Sequence, residues 1–209
     1  MRDIADDRNV DLHRLVDRGR IDVDMDLLRS RREGIQPAGD AVIRDKLSNL
    51  EKFIHADDDI DPLIKMAVMH YQFEAIHPFP DGNGRTGRIL NLLYLVDKGL
   101  LDIPVLFLSR YIIANKAGYY EGLRGVTEQH NWENWLLYML RAVESTAQQT
   151  FDQINRIRTM IEQVREKVQR EAPGVYSKDL IEVIFRQPYT KIQFVVDAGI
   201  AKRQTASTY

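Results

Sequence analysis

Three observations predict an all-α fold with one small β-hairpin. Apolar residues return at helical spacing through most of the 209 residues. Pro62, Pro78, Gly99 and the pair Pro173-Gly174 stand at the ends of these runs, where helices start and stop. One Pro/Gly break, residues 35 to 40 (Ile-Gln-Pro-Ala-Gly-Asp), has the composition of a loop or hairpin tip.

The elements follow in chain order. The first 34 residues hold eight Arg and nine Asp or Glu. Leu12, Leu15, Val16, Ile21, Leu27 and Leu28 interrupt these charges, which predicts one or two short amphipathic helices with a weak core face. Val42, Ile43, Leu47, Leu50, Phe53 and Ile54 predict the next helix. Asp61 can cap a further one, because Pro62 suits the first helical position and Leu63, Met66, Ala67, His70 and Phe73 recur at helical spacing. Pro78 disfavours a helical His77, so the chain is expected to leave the helix there. Ile89, Leu92, Leu93 and Val96 form another run, with Gly99 as its stop.

Ser109 can cap a helix through Tyr111, Ile112 and Ala114. Two more helices are expected: one from near Trp132 to Val143, and a longer one through Ile154, Ile157, Ile161, Val164 and Val168 that Pro173-Gly174 ends. The spacing of the longer one leaves a coiled-coil seam open. Residues 190 to 209 read as helix, turn near Gly199, and a second helix opening at Lys202-Arg203, a helix-turn-helix order. The expected division is an N-terminal helical segment at 1–34, a main domain at 35–147, a connecting helix at 148–173 and a partial winged-helix or helix-turn-helix region at 174–209.

Composition narrows the function. Cysteine is absent, which excludes a disulfide scaffold, a thiolate zinc site and a cysteine nucleophile. A net charge of −2 argues against a whole-protein nucleic-acid binder but leaves a local basic face open. No apolar stretch is long enough to span a membrane. The start, Met1 to Asp7, lacks the apolar core of a signal peptide, so a cytoplasmic setting is expected.

Residues 77 to 88 read His-Pro-Phe-Pro-Asp-Gly-Asn-Gly-Arg-Thr-Gly-Arg. Gly82, Asn83 and Gly84 can turn successive N–H groups toward one point, and the following helix adds its own free N–H groups and positive dipole end. That combination is an anion hole of the kind that holds phosphates. Arg85 and Arg88, three apart, share a face beside it and could clamp phosphate oxygens. Asp81 is the carboxylate placed to meet a Mg²⁺ that bridges phosphates. His77 can take the proton of an attacking hydroxyl. Taken singly, each feature also has an ordinary structural reading, since a Gly-rich turn is usually only a turn. A calcium loop starting at Asp81 fails at Arg85, and a zinc site from His70 and His77 finds no third ligand beyond Asp81.

The run resembles the signature of the Fic family, His-Pro-Phe-x-(Asp/Glu)-Gly-Asn-Gly-Arg-x-x-Arg, at every defined position. Phe73-Glu74-Ala75-Ile76, Pro104 to Ser109, Asn115-Lys116, Tyr119 to Leu123 and Trp132 to Trp135 resemble flanking family blocks, over roughly residues 35 to 145. The resemblance implies an all-α Fic-type core with a small β-hairpin flap near residues 33 to 40. It implies transfer of AMP from ATP to a hydroxyl side chain (Ser, Thr or Tyr) of a target protein, with Mg²⁺. In that reading His77 is the base and Asp81 the metal ligand. Asp81, Gly82, Asn83, Gly84, Arg85, Thr86, Gly87 and Arg88 hold ATP, with Arg88 on the γ-phosphate, and Tyr119 and Tyr120 line the nucleotide site.

Many Fic proteins carry an inhibitory (Ser/Thr)-x-x-x-Glu-(Gly/Asn) helix whose Glu pairs with the second motif arginine. No Ser or Thr here has Glu four residues later, and Ser30 to Gly34 is one residue short around Glu33. Arg88 is therefore expected to be open to phosphate in this chain. Two other readings stay open. One is a Doc-type kinase, which carries Lys where Gly84 stands. The other is a DNA-binding regulator whose Fic core senses nucleotide, with Lys202 and Arg203 at its recognition helix. A homodimer is also left open.

Overall fold

Among the described residues, 39–208 of a computed structural model, all regular structure is helical. The helices are α1 (Asp40–His55), α2 (Pro62–Ile76), α3 (Asn83–Asp97), α4 (Leu108–Ala114), α5 (Lys116–Gln129), α6 (Trp132–Glu171), α7 (Lys178–Phe185), α8 (Ile192–Asp197) and α9 (Arg203–Ala206). The N-terminal segment 1–34 and all but the last two residues of the expected hairpin lie outside the described residues. Asp40, at the end of that break, is already the first residue of α1. Among the described residues no helix is long and apolar enough to cross a membrane.

The chain divides into two units, up to Gln148 and from Gln149. The first is organised around α2. Asp61 Oδ1 accepts from the N–H groups of Leu63 (2.8 Å) and Ile64 (3.4 Å), and Pro62 takes the first helical position, where no N–H is needed. From Lys65 to Phe73 every residue is buried, so α2 is apolar nearly all round and packs against α1 and α3. The buried Lys65 is satisfied by the Ala56 carbonyl (2.8 Å), Asp58 (3.2 Å) and the face of Phe53. Trp135 of α6 closes the other side. Its Nε1 donates to the Ala67 carbonyl (2.9 Å) and its ring stacks on His70 and Tyr138.

The stop after α3 has the expected glycine. Gly99 sits at φ +67°, its N–H bonds Val96 and the Leu100 N–H reaches Leu95, which closes the helix end with a left-handed residue. Three details differ from expectation. Ser109 is not a cap: α4 begins one residue earlier, and the Ser109 hydroxyl accepts from Arg88 instead. Lys116–Gln129, where three glycines weaken the helical signal, is a helix, and Gly118 and Gly122 let α6 approach it. The two helices expected between Trp132 and Pro173 are one of 40 residues, since neither Gly nor Pro interrupts that stretch.

In the second unit Ser177 caps α7 by accepting from the Leu180 N–H (3.1 Å). Leu180, Val183, Val195 and Ala206 form a small core with Phe194 and Ile200 around it. Gly199 at φ +70° turns the chain between α8 and α9.

Candidate active site

Between α2 and α3 the chain turns in six residues, His77 to Gly82. His77 sits at φ 50°, ψ 59°, left-handed, while its N–H still bonds the Phe73 carbonyl (2.9 Å). Pro78 bars the right-handed helical conformation at His77, so the half-buried imidazole leaves α2 at a sharp angle. The turn is held from inside by Asn83. Its Oδ1 accepts from the Phe79 N–H (2.9 Å) and its Nδ2 donates to the Phe79 carbonyl (2.6 Å). That side chain is buried and both its polar atoms serve the loop.

Gly82, at φ +89°, begins α3 from a conformation that disfavours any Cβ. Its carbonyl takes both the N–H and the hydroxyl of Thr86 (2.9 and 3.1 Å), so Thr86 braces the first turn. No side chain caps α3. The first-turn amides therefore face outward with the positive end of the helix dipole, the arrangement that receives an anion.

Asp81 and Arg85 lie beside this turn and pair at 3.0 Å, with side chains 91% and 72% exposed. Such an open pair exchanges partners at little cost. Among the described residues no group of three or more His, Cys, Asp or Glu could hold a metal alone. One exposed carboxylate next to an anion hole still fits Mg²⁺, which takes one or two carboxylates and fills its octahedron with phosphate oxygens and water.

Arg88 is placed differently. Its Nε donates to Ser109 Oγ of α4 (2.8 Å), and the guanidinium folds back one turn so that Nη1 would lie 3.0 Å from a Cβ on Gly84. A Cβ at position 84 would thus crowd the arginine that passes over it, which would have to give by a few tenths of an ångström.

Beneath Arg88, α2 contributes His70 and Glu74. A Cβ on Gly87 would meet Glu74 Oε1 and the His70 ring at 3.1 Å, so this glycine too is a slot for side chains of the neighbouring helix. The Tyr119 hydroxyl lies 2.9 Å from His70 Nε2 and also hydrogen-bonds Glu74. Burial, with Arg88 adding to it, lowers the His70 pKa to about 4 against the raising effect of Gly87 and Asn91, so the ring is neutral. Burial raises Glu74 above the usual carboxylate range, while Arg88 and Tyr119 pull it back. Burial, and next the Glu74 charge, raise the Tyr119 phenol.

The structure therefore brings Asp81, Gly82, Asn83, Gly84, Arg85, Thr86, Gly87 and Arg88 together around one helix start, with His77 at the end of the preceding helix. Tyr119 is buried below that start, in contact with Trp135 and Tyr138. Tyr120 is exposed and lines a groove of about 950 Å³ with Tyr111, Glu121, Arg124, Tyr138 and Arg141, which none of residues 77–88 lines. Sequence reasoning missed His70, Glu74 and Ser109. A partial signal was present, two ionisable residues four apart on a largely apolar helix, but their meeting with the glycines of the next helix is not visible in the sequence.

Residues 7–95 match the Fic/DOC family, and residues 160–209 match the C-terminal domain of SoFic-like protein adenylyltransferases. A probable protein adenylyltransferase of Aquifex aeolicus (strain VF5) is 40% identical over 73 residues, 35% of this chain and 23% of that protein. Protein adenylyltransferase fic-1 of Caenorhabditis elegans is 30% identical over 89 residues, 42% of this chain and 16% of its own length. Protein adenylyltransferase Fic of Nematostella vectensis is 34% identical over 84 residues, 36% of this chain and 18% of its own. The chain thus spans less than a quarter of each of these relatives. With the full motif seated at the start of α3, residues 7–95 are similar to the Fic/DOC family and residues 160–209 to the C-terminal domain of SoFic-like protein adenylyltransferases.

Proposed function

We propose that this chain carries the nucleotide-transfer centre of a protein adenylyltransferase, moving AMP from ATP to a Ser, Thr or Tyr hydroxyl of a target protein. One observation supports this above the others: Gly82, the uncapped first turn of α3 and the folded-back Arg88 lie together at one helix start, with His77 at the adjoining helix end.

The chemistry follows from these placements. The target hydroxyl oxygen attacks the α-phosphorus of ATP. The bond from that phosphorus to the bridging oxygen of the β-phosphate breaks, and pyrophosphate leaves with the electron pair. His77 accepts the hydroxyl proton as a general base. The α3 amides and Arg85 hold the phosphates, and Arg88 meets the terminal one. Mg²⁺, when bound, offsets charge on the phosphates. Asp81 is the side chain that would hold it, on release from Arg85. Tyr119 belongs to the nucleotide site in this reading through the groups it holds beneath, whereas Tyr120, whose ring lines a groove apart from residues 77–88, is assigned there by the family resemblance alone.

The test is transfer of label to protein from ATP labelled at the α- or the γ-phosphate. Label from the α position alone is expected. Label from the γ position alone would replace adenylyl transfer with a kinase reaction. α8, the Gly199 turn and α9 have the order expected of a helix-turn-helix. DNA binding measured at low and raised salt tests that part separately.

A further inference from the structure

Glu74 is a buried carboxylate that the transfer chemistry does not use. Its Oε1 is shielded from solvent and accepts no hydrogen bond. It lies where a Cβ on Gly87 would be 3.1 Å away and one on Gly84 3.6 Å away. Arg88 Nη1 flanks the same Gly84 position at 3.0 Å. Two glycines three apart on α3 thus leave a slot, and the slot brings a carboxylate from α2 to the same glycine that the guanidinium passes over. Burying a carboxylate without full hydrogen bonding is costly. What offsets it here is the positive charge of Arg88 and the Tyr119 hydroxyl.

Resting on the nucleotide-binding reading above, we propose that Glu74 is the positioning residue of Arg88: with Ser109 it holds the guanidinium folded over Gly84, where it reads the terminal phosphate of a nucleoside triphosphate. Ser109 fixes Nε by a hydrogen bond. Glu74 supplies the opposing charge from below, and a buried charge in this low-dielectric slot acts more strongly than one at the surface. The pair orients Arg88 before nucleotide arrives, which spares the ordering of a long side chain on binding.

Removing a negative charge near an anion site strengthens binding of phosphate ligands, and of ATP more than ADP. A fall in the ratio of ATP to ADP affinity therefore runs against the charge effect and reports lost orientation at the terminal phosphate. Glu74→Gln keeps the shape and an acceptor for Tyr119 but not the charge. Its preference for ATP over ADP is expected to fall about tenfold from the parent value, roughly the loss of one charge-assisted contact. In an Arg88→Ala background the same substitution should not lower the ratio, because Glu74 acts through Arg88. ADP binding and the far-ultraviolet dichroism of each variant report the fold. Should the Gln variant unfold, Glu74→Asp, with its charge withdrawn by one methylene, is read the same way and should lose about threefold. An unchanged ratio in the folded Gln variant, or in the Asp variant where Gln unfolds, or an equal shift with Arg88 removed, would overturn the assignment. Failure of the parent chain to bind either nucleotide would instead remove the functional reading and this inference with it.

Discussion

His77 combines a functional side chain with an unfavourable backbone. A non-glycine residue in the left-handed region costs roughly 1–2 kcal/mol, and Pro78 together with the Phe73 hydrogen bond holds it there. Backbone and imidazole can be separated by two substitutions. His77→Ala and His77→Gly both remove the base, and both should lower AMP transfer about 10²–10⁴-fold while ATP still binds. The Gly variant should be the more stable of the two by about 1 kcal/mol, because only Gly occupies that conformation freely. Transfer assays with nucleotide titration test the first claim and thermal melts the second. Most of the activity surviving in either variant would remove His77 from the chemistry. Asp81→Ala should lose Mg²⁺ dependence along with activity, yet melt as the parent does, since its pair with Arg85 is an open surface contact. An unchanged Mg²⁺ titration would refute its role.

At the scale of the elements, glycines decide how closely helices pack. A Cβ on Gly122 of α5 would lie 2.9 Å from Trp135 Cε3, and Trp135 is pinned by its bond to Ala67 and its stacks on His70 and Tyr138. Gly122→Ala should therefore cost about 1–3 kcal/mol. Gly125→Ala, whose Cβ would come no nearer than 3.7 Å to Asn131, should be neutral or gain up to about 1 kcal/mol from helix propensity. Denaturant unfolding of the two variants checks the contrast, and equal effects would dismiss the packing argument. The same glycines explain what could be read in advance. Caps and stops such as Asp61-Pro62 and Gly99 act locally, so spacing revealed α2 and the end of α3. α5 was hidden because its glycines answer to Trp135 and Tyr138, residues remote in sequence. The motif turn was legible because its glycines, asparagine and arginines are contiguous. The slot beneath it was not, since His70 and Glu74 meet Gly84, Gly87 and Tyr119 only after the chain has folded.

At the scale of the whole molecule, that buried slot ties acid stability to function through two opposed titrations. His70 is about 6.5 when unfolded and about 4 when folded. Between these values the unfolded chain takes up a proton that the folded one refuses, so the His70 contribution is fully present above about pH 6.5 and is lost as pH falls through 4. Glu74 has the opposite sign. Its folded pKa is raised above 4.5, so the folded chain holds a proton that the unfolded one has released, and stability from this group is lost as pH rises from 4.5 through the folded value. Urea midpoints at pH 7 and pH 5 separate them. The fall from pH 7 to pH 5 should be smaller in His70→Gln than in the parent and larger in Glu74→Gln. The latter variant should also be more stable than the parent at pH 7, because it no longer buries a carboxylate whose ionisation the fold resists. The same substitution is expected to weaken the preference for ATP over ADP. A Gln variant that is less stable than the parent at pH 7 would show that Glu74 serves the fold itself. One that gains stability as it loses discrimination would show a charge retained against the interest of the fold, for the sake of the arginine above it.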